Sequence, residues 1–379
     1  MPNDFYFEIA GTRFRITDLC PSLNNDFLSY HQSIFGFPVF NVNQFKGNSK
    51  SYFTSVKKDT RRWEKHDFYF GNFTIIWKTL LDQGKFREAE NIWKFALSIS
   101  KEWEDENKDY IHKGTPFYFW SVTCFLEDDI ERGFTLMNQA YVEDLEAKQR
   151  HGRMDKPETV PAGLFLFFVP TVSAQFFKPK LDEMKLFLET KINEYSVTRG
   201  RTFRYSDFES KFLKNVDKDV IFHFNLNLFR LEKINRYPVV EGKNTIACLL
   251  YMEIIFDLCR VLDLIINKDQ KLKKAIIDFA QKYKPNSNQK KAIESIKSQN
   301  IQDGFNTKNF IRTLRSLQNT GYTLNGYTPD EMEKDILISY GFRNLGAHEI
   351  VADDIVVQNY KELVQRILNS IFLAVELYY

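Results

Sequence analysis

The chain has 379 residues, 43% of them hydrophobic, with 36 phenylalanines and a formal net charge of +2. That length and apolar content can bury a sizeable core shared among two or three domains, which excludes a globally disordered chain. The near-neutral charge excludes attraction to nucleic acid through overall charge, so any such contact needs a local basic patch.

The start, MPNDFYFEIAG, has no basic end followed by an apolar run, and GLFLFFVP at 163–170 falls far short of the roughly 20 residues that span a bilayer. A cytoplasmic protein without membrane contact is therefore expected. Cysteines 20, 124, 248 and 259 are too scattered for a CxxC zinc site or a disulfide framework, and each is expected as a buried thiol.

Residues 1–65 look irregular, although FYFEIAGTRFRITDL carries two alternating runs about a Gly-Thr turn that point to a small β-hairpin. From about 66 to 195 the pattern is helical. In WKTLLDQGKFREAENIWKFAL a helix through Leu81 should stop near Gly84. A second should carry Phe86, Ala89, Trp93 and Ala96 on one face. This order of Gly, aromatic, Ala, aromatic, Ala resembles the tetratricopeptide repeat. A fainter copy follows at an offset of 44, matching Gly84 with Asp128, Ala89 with Gly133, Trp93 with Met137 and Ala96 with Ala140. It departs from the repeat at the turn glycine and in its spacing, so plain antiparallel helix pairs and a repeat groove for a protein partner both stay open.

Residues 196–240 mix basic and aromatic residues and read as a connecting region ending at Pro238 and Gly242. Asn244 is then placed to cap a long helix, TIACLLYMEIIFDLCRVLDLII, apolar nearly all round except for Glu253, Asp257 and Arg260. That stripe is either a self-satisfied ion network or the face of a site or second subunit. Residues 264–300 hold nine lysines against three acids. They form either a solvated helix pair or a phosphate-backbone contact, with Lys271, Lys273 and Lys274 as its candidates.

The segment YTPDEMEKDILISYGFRNLGAHEI begins with helix-start signals at Thr328, Pro329 and Glu331. The helix should run to about Phe342, with Gly346 allowing a bend that brings Arg343 and His348 together. Asp353 or Asp354 should cap a last helix with apolar positions 356, 360, 363, 367, 371 and 374. Metal-dependent hydrolysis has little support. His31, His66, His112, His151 and His223 lie far apart in sequence, no HExxH is present, and a lone histidine such as His223 reads as a core or boundary residue. No Walker loop or GxGxxG turn occurs, and no cofactor is expected.

The long apolar helix, a later helix ending in Arg343 and Asn344, four residues from Arg343 to His348 and a closing helix together resemble the HEPN domain (higher eukaryotes and prokaryotes nucleotide-binding) over 241–379. The expected fold is therefore mainly α, with a tetratricopeptide-like region before a HEPN-type bundle. The resemblance implies metal-independent cleavage of RNA in antiviral defence or a toxin system, by a homodimer whose two motifs meet. On this reading His348 transfers the proton, Arg343 stabilises charge on the phosphoryl oxygens, and Asn344 orients the phosphate or the ring. Glu253 and Asp257 would support them. The alternative is a non-catalytic HEPN-like module for dimerisation or nucleotide binding, with a protein partner on the front helices.

Overall fold

A computed structural model describes residues 6–9, 12–15, 42–150, 160–237, 244–267, 278–280, 282–283, 330–348 and 354–379. The protein is mainly α-helical. Two short strands, β1 (Tyr6–Ile9) and β2 (Thr12–Arg15), pair antiparallel with Phe7 opposite Phe14. Among the described residues no helix is long and apolar enough to cross a membrane. The chain divides into two compact units, Met1–Leu181 and Asp182–Tyr379.

The first unit contains α1 (Val42–Val56), α2 (Arg62–Gly71), α3 (Phe73–Asp82), α4 (Phe86–Asn107), α5 (Gly114–Leu126), α6 (Ile130–Arg150) and α7 (Pro161–Phe165), with a 3-10 turn at Val172–Phe177. Ala89, Trp93 and Ala96 are fully buried, as the helical period requires. Trp93 stacks on Phe119 at 5.6 Å, Trp77 packs on Phe119 at 4.8 Å, and the Trp77 indole N–H donates to Thr123 Oγ1 at 2.8 Å. An apolar ring with its one polar atom bonded suits a fully enclosed position.

The α3–α4 turn recurs 44 residues later between α5 and α6. Gly84 has φ +70°, and its counterpart Asp128 has φ +61°. The N–H of Lys85 donates to the Leu80 carbonyl at 2.9 Å, and that of Asp129 to the Cys124 carbonyl at 2.9 Å. Both helices therefore end through the same left-handed residue, although the second copy lacks glycine. Aspartate tolerates this conformation better than most side chains. Gly133 is buried, and a Cβ there would meet the Phe125 ring at 2.7 Å.

The second unit takes in most of α8 (Lys178–Arg199), then α9 (Tyr205–Phe208), a π turn (Glu209–Leu213), α10 (Lys218–Asn235), α11 (Thr245–Ile266), α12 (Glu331–His348) and α13 (Asp354–Tyr378). Of the segment expected as a connection, 196–240, the described residues 196–237 are thus largely helical and belong to this unit. Its phenylalanines explain why: Phe208 packs on Phe212 at 4.8 Å, on Phe224 at 5.5 Å and on Phe372 of α13 at 5.7 Å.

α11 covers the expected span, and the Asn244 side chain accepts from Ala247 N at 2.9 Å. Along α13, positions 356, 360, 363, 367, 371 and 374 are all buried. The start of α12 differs from expectation. Asp330 Oδ1 accepts from Glu333 N at 2.8 Å and Glu333 Oε2 accepts from Asp330 N at 3.0 Å, so the reciprocal cap lies on Asp330. Thr328 and Pro329 lie outside the described residues. Buried Asp335 anchors the helix through Arg199 at 2.6 Å, Arg366 at 3.0 Å and Asn369 at 3.1 Å. A buried carboxylate needs such partners to remain charged.

Candidate functional site

Arg343 sits near the end of α12, and its Nε donates to Asp263 Oδ2 on α11 at 2.6 Å. Burial pushes the Asp263 carboxyl up from its ordinary range, opposed by the bond from Arg343. The Arg343 side chain retains 25% exposure. A fixed planar cation at a surface suits recognition of phosphate.

α12 does not stop at Phe342. It continues through Gly346 to His348 without a break, because Gly permits a bend without imposing one. Positions 343 and 348 are therefore separated by about 140° around the axis and about 7.5 Å along it. Positions 344 and 348, four apart, share a face. The side chains of Asn344 and His348 lie outside the described residues, as do Lys271, Lys273 and Lys274.

Glu253 and Asp257 face a different partner from Arg343. Arg230 of α10 lies 3.4 Å from Glu253 and 3.1 Å from Asp257, and Arg260 lies 3.5 Å from Asp257. His223 is 4.0 Å from Asp257, and burial lowers its basicity. The stripe is thus an ion network between α10 and α11. Sequence reasoning missed Asp263, the carboxylate that meets Arg343. It lies 80 residues away at the far end of the apolar run, with no local spacing to mark it.

A second polar cluster joins residues that are distant in sequence. His112, just before α5, places Nε2 3.3 Å from Asp67 of α2 and 3.2 Å from Asp144 of α6. Its backbone N–H donates to His66 Nδ1 at 3.1 Å. Despite its burial, the two carboxylates raise His112 from 6.5 to about 10, whereas burial, with His112 beside it, lowers His66 to about 3. Gly114 makes room for this arrangement, since a Cβ there would meet His112 Cε1 at 2.8 Å. Among the described residues, no group of three or more His, Cys, Asp or Glu is arranged to hold a metal ion. Cys124, Cys248 and Cys259 are buried free thiols, and Cys20 lies outside the described residues. Comparison with protein-family models, curated proteins and solved structures returned no match.

Proposed function

We propose that residues 241–379 form a metal-independent endoribonuclease of HEPN type that cleaves single-stranded RNA, with antiviral defence or a toxin system as its setting. The observation that carries this reading is the Arg343–Asp263 pair, which holds a part-exposed arginine side chain near the end of the helix bearing the Arg-Asn-x3-His sequence. In the reaction the ribose 2′-oxygen attacks phosphorus, the bond to the 5′-oxygen breaks, and a 2′,3′-cyclic phosphate and a 5′-hydroxyl result. His348 takes the proton from the 2′-hydroxyl or supplies one to the leaving oxygen, Arg343 stabilises the charge on the phosphoryl oxygens, and Asn344 orients the phosphate.

Because positions 343 and 348 diverge on a continuous helix, the reading includes a homodimer in which two motifs contribute to the cleavage groove. One face of α11 supports this partner. Ile246, Leu249, Leu250 and Leu264 are exposed there in line with Glu253, 58% exposed, and Arg260, 59% exposed. Packed antiparallel on a second copy about positions 256–257, this face sets Glu253 against Arg260 of the partner subunit, and Leu249 and Leu250 against the partner's Leu264. Such a self-complementary patch is what a two-fold interface requires.

Lys271, Lys273 and Lys274 would add salt-sensitive affinity for the RNA backbone. The test is a time course on labelled single-stranded RNA, comparing the wild type with Arg343→Ala and His348→Ala in the presence of EDTA. Chelator-resistant cleavage that both variants lose supports the proposal; equal rates in all three proteins refute it.

A further inference from the structure

A cavity of about 430 Å³ opens in the second unit where the end of α10, the first half of α11 and the first turns of α13 meet. This volume falls in the range of about 300–1,000 Å³ common for small-ligand pockets. Tyr251 of α11 and Tyr360 of α13 form one wall, with their rings stacked at 4.0 Å and 17°. Both rings are buried, so the wall is formed before any ligand arrives. Tyr237 stands 46% exposed just beyond the end of α10 and contributes a third aromatic ring.

The polar lining is equally specific. Asn359 donates its amide N–H to the Ile355 carbonyl at 2.8 Å, which leaves its amide oxygen as an acceptor. Gln358 beside it makes no side-chain hydrogen bond among the described residues, so its amide is available to a ligand. Glu362 is engaged by Arg366 at 2.9 Å. Lys361 has no ion pair among the described residues, so the lining carries one uncompensated charge and that charge is positive. Aromatic faces, amide groups and a single cation match a base, its hydrogen-bonding edge and a phosphate.

We propose that this cavity is a base-binding subsite for single-stranded RNA, in which a nucleobase stacks on the tyrosines, Gln358 and Asn359 meet its edge and Lys361 meets its phosphate. The identity of this ligand rests on the ribonuclease reading; the cavity and its lining do not. Tyr251 precedes Asp263 by 12 positions on the same helix, a separation of about 18 Å, or roughly five stacked nucleotides from the one at Arg343. The subsite therefore selects for RNA length as well as for a base.

The test uses the full chain and probes that cannot be cleaved: a labelled 2′-O-methyl octanucleotide, the corresponding trinucleotide, and AMP or UMP as free nucleotides. Tyr237→Ala and Lys361→Gln alter exposed residues of the lining and should leave the fold intact, which circular dichroism checks. The octanucleotide should bind more tightly than the trinucleotide and lose on the order of tenfold in affinity with Tyr237→Ala. Lys361→Gln should reduce the salt slope of octanucleotide binding by about one. Octanucleotide affinity that is absent in the wild type, or unchanged in both variants, overturns the proposal. So does a cavity that binds AMP or UMP through these residues while octanucleotide affinity ignores them, since the ligand is then a free nucleotide. If the octanucleotide responds as expected but wild-type protein cuts no RNA, the subsite stands and the nuclease reading falls.

Discussion

Replacing His112 with Gln should remove most of the alkaline sensitivity of the first unit. The imidazole is enclosed beside Asp67, Asp144 and His66, with Nε2 within 3.3 Å of both carboxylates. Its folded value, about 10, lies above the unfolded value of 6.5, so the protonated form is favoured by folding. The stabilisation is therefore complete below 6.5 and is lost as pH rises toward 10. Between pH 6.5 and 9 the loss is at most about 3 kcal/mol. His112 Nδ1 is buried without a hydrogen-bond partner among the described residues, which works against the imidazolium and makes this an upper figure. His66 has the opposite sign: its folded value, about 3, is depressed, so it costs stability only as pH falls below 6.5.

All five tryptophans lie in the first unit, so urea unfolding followed by tryptophan fluorescence reports on it directly. Wild type should lose stability from pH 6.5 to 9, and His112→Gln should lose far less. Identical pH slopes in the two proteins, or wild-type stability that increases over this range, would refute the assignment of a buried imidazolium.

Asp263→Asn should slow RNA cleavage by about tenfold through a less well-held Arg343, and cost roughly 1–2 kcal/mol of stability because the pair is only partly buried; paired kinetic and denaturation measurements distinguish a positioning role from a purely structural one, which would leave the rate unchanged. Glu253→Arg and Arg260→Glu should each weaken a dimer formed through α11, and the double substitution should restore it, as read by sedimentation. Asp128→Gly should raise the stability of the first unit by about 1 kcal/mol by relieving the left-handed backbone, measured as a shift in urea midpoint.

What the sequence made legible was local. The span and cap of α11 followed from a long, mostly apolar run behind Asn244, and the buried positions of α13 from a regular helical period. The turn at Gly84 was legible from its glycine, whereas its repetition at Asp128 depends on a backbone conformation that residue type only weakly indicates. The start of α12 slipped from Thr328 to Asp330 because several good capping residues stand close together there. Its end slipped because a glycine inside a helix reads equally as a stop. The Arg343–Asp263 pair and the meeting of His66, His112, Asp67 and Asp144 were hidden for a different reason. Each depends on helices packing across long stretches of chain, and neither leaves a periodic trace.

Cleavage of a single RNA is the direct test of the proposed ribonuclease centred on Arg343 and His348. Labelled single-stranded RNA, incubated with the full chain and EDTA, should be cut to products ending in a 2′,3′-cyclic phosphate, while DNA of the same sequence should stay intact. Rates should fall by about a hundredfold or more in His348→Ala, which lacks the proton-transfer group. Arg343→Ala should lose a comparable factor through lost charge stabilisation. Cleavage that disappears with EDTA, or that proceeds equally in wild type and both variants, would contradict the account and leave the motif a structural or binding element.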